Sequence, residues 1–287
     1  MIGFYNIIKP TGVSSGLIVN KIKRLTKEKV GHLGTLDPAA SGVLPIAVGK
    51  ATRFFDYFLN KDKEYIALAK FGVETDTLDS EGVVVQRKEV ENITLTDVQK
   101  SAEVVKQNSE QMPPLYSSKS VNGVRAYDAA RRNIEIELKP KKVQIYDIFV
   151  EKTDKNDLFK LKIHCSSGTY VRSIVRDIAY NLGLVATTVC IIRTKSGKFN
   201  IHNAVTFEDI EKEKEQSLIK INDILKMEEI NLSQIQANDL ANGKSVGCVA
   251  SDGEYLCFYN GEEFSVVDCL NNKIKNKIYL YSKEKIW

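Results

Sequence analysis

Segments with strand periodicity and segments with helical periodicity follow one another along this chain without a regular strand-helix-strand alternation. That order favours an α+β arrangement with a mostly antiparallel sheet. "IGFYNIIKP" is apolar and β-branched and stops at a Pro-Thr-Gly turn; "VLPIAV" and "EYIALAKFGV" are further strands, and "VQIYDIFVE" and "DLFKLKIHC" come as consecutive strands. Between them, "SSGLIVNKIKRLTKE" has Ser14 or Ser15 as N-cap and Leu17, Ile18, Ile22 and Leu25 at helical spacing. "TLTDVQKSAEVVKQ" is a capped helix, and "TYVRSIVRDIAYNLG" is a helix stopped by Gly183. The pattern predicts an α+β fold, with a mixed, mostly antiparallel sheet and flanking helices.

The charged run "EDIEKEKEQ" near residue 210 marks the end of a main domain over 1–230, as an exposed helix or a linker. Beyond it, short apolar runs separated by Asn-Gly, Asp-Gly and Asn-Gly pairs predict a small β-rich module over 233–287. A module of that size is near the lower limit for folding alone and is expected to pack against its neighbour.

No apolar run reaches the roughly 18 residues of a membrane span, and the N-terminus lacks the pattern of a signal peptide, so the expected location is the cytoplasm. Five cysteines without a Cys-x-x-Cys pair, and histidines only at 32, 164 and 202, predict neither a disulfide framework nor a metal site. Net charge is segregated: +6 over 1–63, −5 over 64–110, +8 over 111–200 and −5 over 201–287. Basic blocks of this kind suit a phosphate backbone, whose condensed counterions are released on binding; a solvated lysine surface would give the same count.

One carboxylate stands out. In "GHLGTLDPAASG", Asp37 lies among Gly31, Gly34 and Gly42 and is followed by Pro38. Taken locally, Asp37 is an N-cap and Pro38 the first residue of a helix. The three glycines, with His32 and Thr35 beside them, point instead to a shaped pocket into which a partner's backbone can approach. A carboxylate that acts as nucleophile or base needs a cation nearby. Arg172 and Arg176, four apart in "CSSGTYVRSIVRD", are the candidates, although either one pairs equally well with Asp177. Tyr65 in "KDKEYIALAKFG" reads as a core strand residue or as a ring that stacks on an extruded base.

Four stretches together resemble the bacterial tRNA pseudouridine synthases of the TruB type, which modify uridine 55 in the T loop. They are "GHLGTLDPAASGVLPIAVGKATR", "KEYIALAKFGVETDTLDSEG", "QMPPLYSSKSVNGVRAYDAAR" and "CSSGTYVRSIVRDIAYNLG", in the family's order and spacing from about residue 3 to 200. The resemblance implies the family's pseudouridine synthase fold, an RNA-gripping insertion at about 113–142 and, more weakly, a PUA-like RNA-binding module at the C-terminus. It implies Asp37 as nucleophile, Tyr65 as the tyrosine that stacks on the target uracil and assists proton removal from C5, and Arg172 as the arginine paired with the aspartate. His32 matches the histidine that fills the place of the flipped nucleotide. Lys9 and Tyr170 match residues beside the site, Ile191 an apolar pocket wall, and Lys119 and Arg193 residues on the RNA.

The isomerisation needs neither energy input nor redox partner, and the chain has no GxxxxGK[ST] or GxGxxG motif, so no cofactor or metal is expected. The expected partner is the T arm of tRNA, met by a monomer that needs no protein partner and no membrane. The chain departs from the family pattern at Ser120, Ser167 and Ile192, where lysine or arginine is usual, so potential phosphate contacts are lost while the chemistry is not touched. A non-catalytic RNA-binding or RNA-folding protein would keep the same basic surface; intact Asp37, Tyr65 and Arg172 favour the enzyme.

Overall fold

The structure, a computed structural model, describes residues 1–116, 120–121, 124–125 and 138–281, with the backbone alone for 120–121 and 124–125. The expected insertion at about 113–142, with Lys119, falls mostly outside the described residues.

A sheet of eight strands forms the centre of the first domain. Its main path runs Gly3–Lys9, Ser41–Val48, Ala186–Ser196, Lys63–Phe71, Leu158–Cys165, Ile145–Lys152. All neighbours on this path are antiparallel except Ser41–Val48 beside Ala186–Ser196, which pair parallel through Ser41 with Ile192 and Gly42 with Arg193. Ser41–Val48 is covered on both faces, which explains its nearly unbroken apolar sequence.

On one face, Leu44, Ile46, Ala67, Phe71 and Phe159 pack with Ile18 and Ile22, with Val98 and Ala102, and with Ile174, Val175 and Ile178. These come from the helices Ser15–Thr26, Leu95–Lys106 and Val171–Asn181, each amphipathic at a period of 3.6. Ser14 caps the first helix by accepting from the Leu17 N–H at 3.2 Å. Thr94 and Asp97 form a capping box on the second. The third ends where Gly183, at φ +68°, lets the Leu184 N–H reach the Ala179 carbonyl.

The other face carries Phe4 with Phe54, Phe58 and Phe199, in edge-on or tilted contact, and this cluster continues into Leu256, Val266, Ile278 and Leu280 of the C-terminal module. The module is therefore seated on the eight-stranded sheet through a shared apolar core, as its small size requires. Its own sheet runs Glu228–Asn231, Gly253–Tyr259, Glu262–Leu270, Lys273–Tyr279, Val246–Gly247. Glu228–Asn231, which precedes the expected start at 233, belongs to this sheet. Of the three expected turn pairs only Asn260-Gly261, both with positive φ, closes a hairpin; Asn242-Gly243 instead ends the helix Gln234–Ala241. The charged run near 210 forms the short helix Phe207–Lys212, capped by Thr206. Among the described residues no helix is long and apolar enough to cross a membrane.

Gly42 is required by this arrangement. Its φ is +104°, and a Cβ there would run into the backbone of Arg193 on the parallel neighbour. Gly42→Ala is expected to destabilise the protein by about 3 kcal/mol, read as a lowered urea midpoint. An unchanged midpoint would contradict the close approach.

Candidate active site

The register of the sheet lays one row across four strands: Lys9 opposite Gly42, Gly42 beside Arg193, Arg193 opposite Tyr65. Residues in one cross-strand row share a face. The loop that carries Asp37 crosses this row between the strands Val30–His32 and Ser41–Val48.

This loop is tied down through its carbonyls. Those of five consecutive residues are all occupied: Gly34 by Arg193 Nη2 at 3.0 Å, Thr35 by Arg193 Nη1 at 3.0 Å, Leu36 by the Ser15 hydroxyl at 2.7 Å, Asp37 by the Ala40 N–H at 3.1 Å, and Pro38 by the Gly12 N–H at 2.8 Å. Ser15 Oγ also accepts from the Leu36 N–H at 2.9 Å. Asp37 therefore begins a β-turn with Pro38 at its second position. It does not cap a helix, because the chain enters a strand at Ser41.

Lys9, expected beside the site, and Arg193, expected on the RNA, are 0% and 1% exposed, and their charged groups are turned to the protein's own backbone. The Lys9 ammonium donates to Pro10, Val13 and Pro38 carbonyls at 2.8, 2.7 and 3.3 Å, and Arg193 Nε to the Val43 carbonyl at 2.7 Å. Both are spent on backbone oxygens and hold the aspartate loop from beneath. Burial pulls the Lys9 ammonium down to about 8, with Asp37 opposing and Arg193 adding to the drop.

Above the loop, the helix Val171–Asn181 directs Arg172, 4% exposed, between two carboxylates. Nη2 meets Asp37 Oδ2 at 2.6 Å and the Tyr116 carbonyl at 3.0 Å; Nη1 meets Asp79 Oδ2 at 3.2 Å and the Thr77 carbonyl at 2.7 Å. Two carboxylates around one guanidinium leave one net negative charge, carried toward the cavity by Asp37 because Asp79 is buried. Asp79 is fixed further by the Thr77 hydroxyl at 2.6 Å and the Glu81 N–H at 3.1 Å. Arg176 takes the other course open to it: its guanidinium pairs with Asp177 and the Met112 carbonyl.

A cavity of about 420 Å3 opens over Asp37. Tyr65, Ile191, Tyr170 and Arg172 share its walls with Lys63, Lys141, Phe55 and Ser167. Tyr65 is half-buried, and burial pushes its phenol up, so the ring meets the cavity neutral. The Tyr170 backbone is clamped by Gln111, which accepts from its N–H at 2.8 Å and donates to its carbonyl at 3.1 Å. His32 lies off the cavity wall on its own strand. Burial and the Arg193 charge lower its pKa, and its Nδ1 has no hydrogen-bond partner among the described residues. The one group of potential metal ligands among the described residues is Asp62, Glu64 and His164, and the Lys195 ammonium is bonded to both of its carboxylates.

Asp79, Ser15 and Lys63 are the site residues that sequence reasoning passed over. The acid-rich turn "TDTLDSEG" was a signal for Asp79; nothing local marks the other two.

A family model described as TruB family pseudouridylate synthase (N terminal domain) matches residues 22–171. Relatives named tRNA pseudouridine synthase B include one from Caldanaerobacter subterraneus subsp. tengcongensis, 38% identical over 85% of this chain and 86% of its own length. Another, from Clostridium tetani, is 39% identical over 86% of each. Among solved structures, a chain of a Cbf5-Nop10-Gar1 complex superposes with a TM-score of 0.67 at 21% identity, covering 97% of this chain and 84% of that one. A chain of an H/ACA RNP bound to a substrate RNA containing 2'-deoxyuridine gives 0.67 at 19% identity, covering 99% and 88%. The superpositions speak for the fold, and the matched sequence, which contains Asp37 and Tyr65 and ends next to Arg172, places this chain in the TruB family of pseudouridylate synthases.

Proposed function

We propose that the protein is a tRNA pseudouridine synthase that isomerises uridine 55 of the T loop, working as a cytoplasmic monomer without a protein partner. The observation that carries the reading is the cavity's single lining carboxylate, Asp37, held at one oxygen by a buried guanidinium. Among the described residues no hydrogen bond falls on its other oxygen, which is left for the substrate.

The target uridine leaves the stack to enter the cavity, at a cost of a few kcal/mol that stacking on the Tyr65 ring offsets. The C1′–N1 bond breaks, the uracil turns and C1′ joins C5; the proton on C5 leaves and N1 ends protonated. Asp37 is the nucleophile, or the anion that stabilises the charged intermediate. Arg172 pairs with it and keeps it aimed. Tyr65, neutral and against the ring, assists removal of the C5 proton. His32, also neutral, fills the gap left by the extruded base, and Ile191 and Tyr170 shape the pocket.

Tyr65→Phe keeps the ring and loses the hydroxyl. Turnover on a T-arm RNA is expected to fall by about a hundredfold or more, with binding within a few fold; wild-type turnover would leave the tyrosine only its stacking role. A transcript with cytidine at position 55 is expected to gain no pseudouridine, whereas modification at another position would contradict the assigned target.

A further inference from the structure

Five charged side chains line the cavity: Asp37, Lys63, Lys141, Arg172 and Arg193. Two of the four cations are committed to the protein, Arg172 to Asp37 and Asp79, and Arg193 to three backbone carbonyls. The two lysines are not. Lys63 is 5% exposed, and its ammonium has one acceptor among the described residues, the Lys61 carbonyl at 2.7 Å. Lys141 is exposed and has no hydrogen-bond or carboxylate partner among the described residues. Its Nζ lies against Gly168, filling the space a Cβ would take.

Uracil is neutral, so a pocket meant for the base alone has no use for two lysines with donors to spare. A buried ammonium short of acceptors, as at Lys63, is unfavourable unless a ligand supplies them. Burial and the Arg193 charge lower Lys63 to about 8, which still leaves it mostly protonated near neutral pH.

Resting on the reading of the cavity as the seat of an extruded nucleotide, we infer that Lys63 and Lys141 bind the phosphodiester backbone flanking that nucleotide. Lys63 reaches it from the aspartate-loop side, where its Cε lies near Gly34, and Lys141 from the rim formed by Ser167, Gly168 and Thr169. The placement also accounts for the departure at Ser167. The chain lacks a lysine there, and a lysine from the strand Lys141–Lys142 lays its ammonium over the next residue. Lys9 and Arg193, buried and bonded to backbone carbonyls, are not open to a phosphate.

The test uses the full chain and a T-arm stem-loop RNA, with the phosphodiesters on either side of the target replaced one at a time by neutral methylphosphonate. Lys141→Ala is expected to weaken binding about five- to tenfold, more than it lowers the single-turnover rate at saturating RNA. It should also reduce the slope of log K against log salt by about 0.7 to 0.9. At one linkage the methylphosphonate should weaken wild-type binding and leave the binding of Lys141→Ala unchanged. Lys63→Met, checked for folding by thermal melting, should show the same masking at a flanking linkage. Wild-type affinity and salt slope in Lys141→Ala, or penalties that add to the mutation at every flanking linkage, would overturn the inference. Absence of pseudouridine formation by the wild-type protein would instead overturn the proposed function, so the two failures are distinct.

Discussion

Asp37→Asn is expected to lower pseudouridine formation at least about a thousandfold while RNA binding stays within a few fold of wild type. Asparagine has nearly the same shape, and the turn that presents it does not depend on the carboxylate. Ser15, Arg193, Lys9, Gly12 and Ala40 grip backbone atoms of the loop, so the variant should fold and keep its cavity. What it loses is the anion facing the substrate, and an amide is neither nucleophile nor counter-charge. Stopped single-turnover assays with radiolabelled RNA read the rate, and filter binding reads the affinity. Turnover within tenfold of wild type would remove Asp37 from the chemistry.

Arg172→Lys is expected to cost about a hundredfold in turnover, and Arg172→Met more, because one guanidinium meets four acceptors on four residues. An ammonium keeps the charge without that planar reach. In Arg172→Met, Asp37 and Asp79 lose their shared cation, with a stability loss of about 3–5 kcal/mol expected for a broken buried pair. Single-turnover rates and urea midpoints of the two variants check this, and turnover of Arg172→Met within tenfold of wild type would contradict the role of the guanidinium.

Much of this architecture is legible in the chain. The strands "VLPIAV", "EYIALAKFGV" and "DLFKLKIHC" and the helix "TYVRSIVRDIAYNLG" declare themselves by period and by end signals, because each buries a regular stripe. Asp37, Tyr65 and Arg172 come to notice as chemically active types in constrained or motif-like settings. The Asp-Pro pair, in contrast, fits a helix start and a β-turn equally well; the turn wins because Arg193, Ser15 and Lys9, all distant in sequence, fix the loop's carbonyls. Lys9 and Arg193 announce their charge but not their burial, which comes from the sheet register that sets them in one row with Gly42 and Tyr65. Among the acids of "TDTLDSEG", the one facing Arg172 is chosen by a turn in which Leu78 takes a positive φ of 60°, a conformation that composition does not signal for leucine. The glycines around Asp37 invite the thought of an approaching ligand backbone, and Gly42 does serve close approach, but to the protein's own strand at Arg193.

The proposed function makes the cavity over Asp37 a catalytic pocket for uridine 55 of tRNA, not only a place where RNA binds. Purified protein incubated with an unmodified tRNA transcript, followed by chemical mapping of pseudouridine and nuclease digestion with mass spectrometry, tests it most directly. The expected result is stoichiometric pseudouridine at position 55 with wild-type protein and none with Asp37→Asn. Retained tRNA binding with no pseudouridine at any position would contradict it and leave a non-catalytic RNA-binding protein in its place.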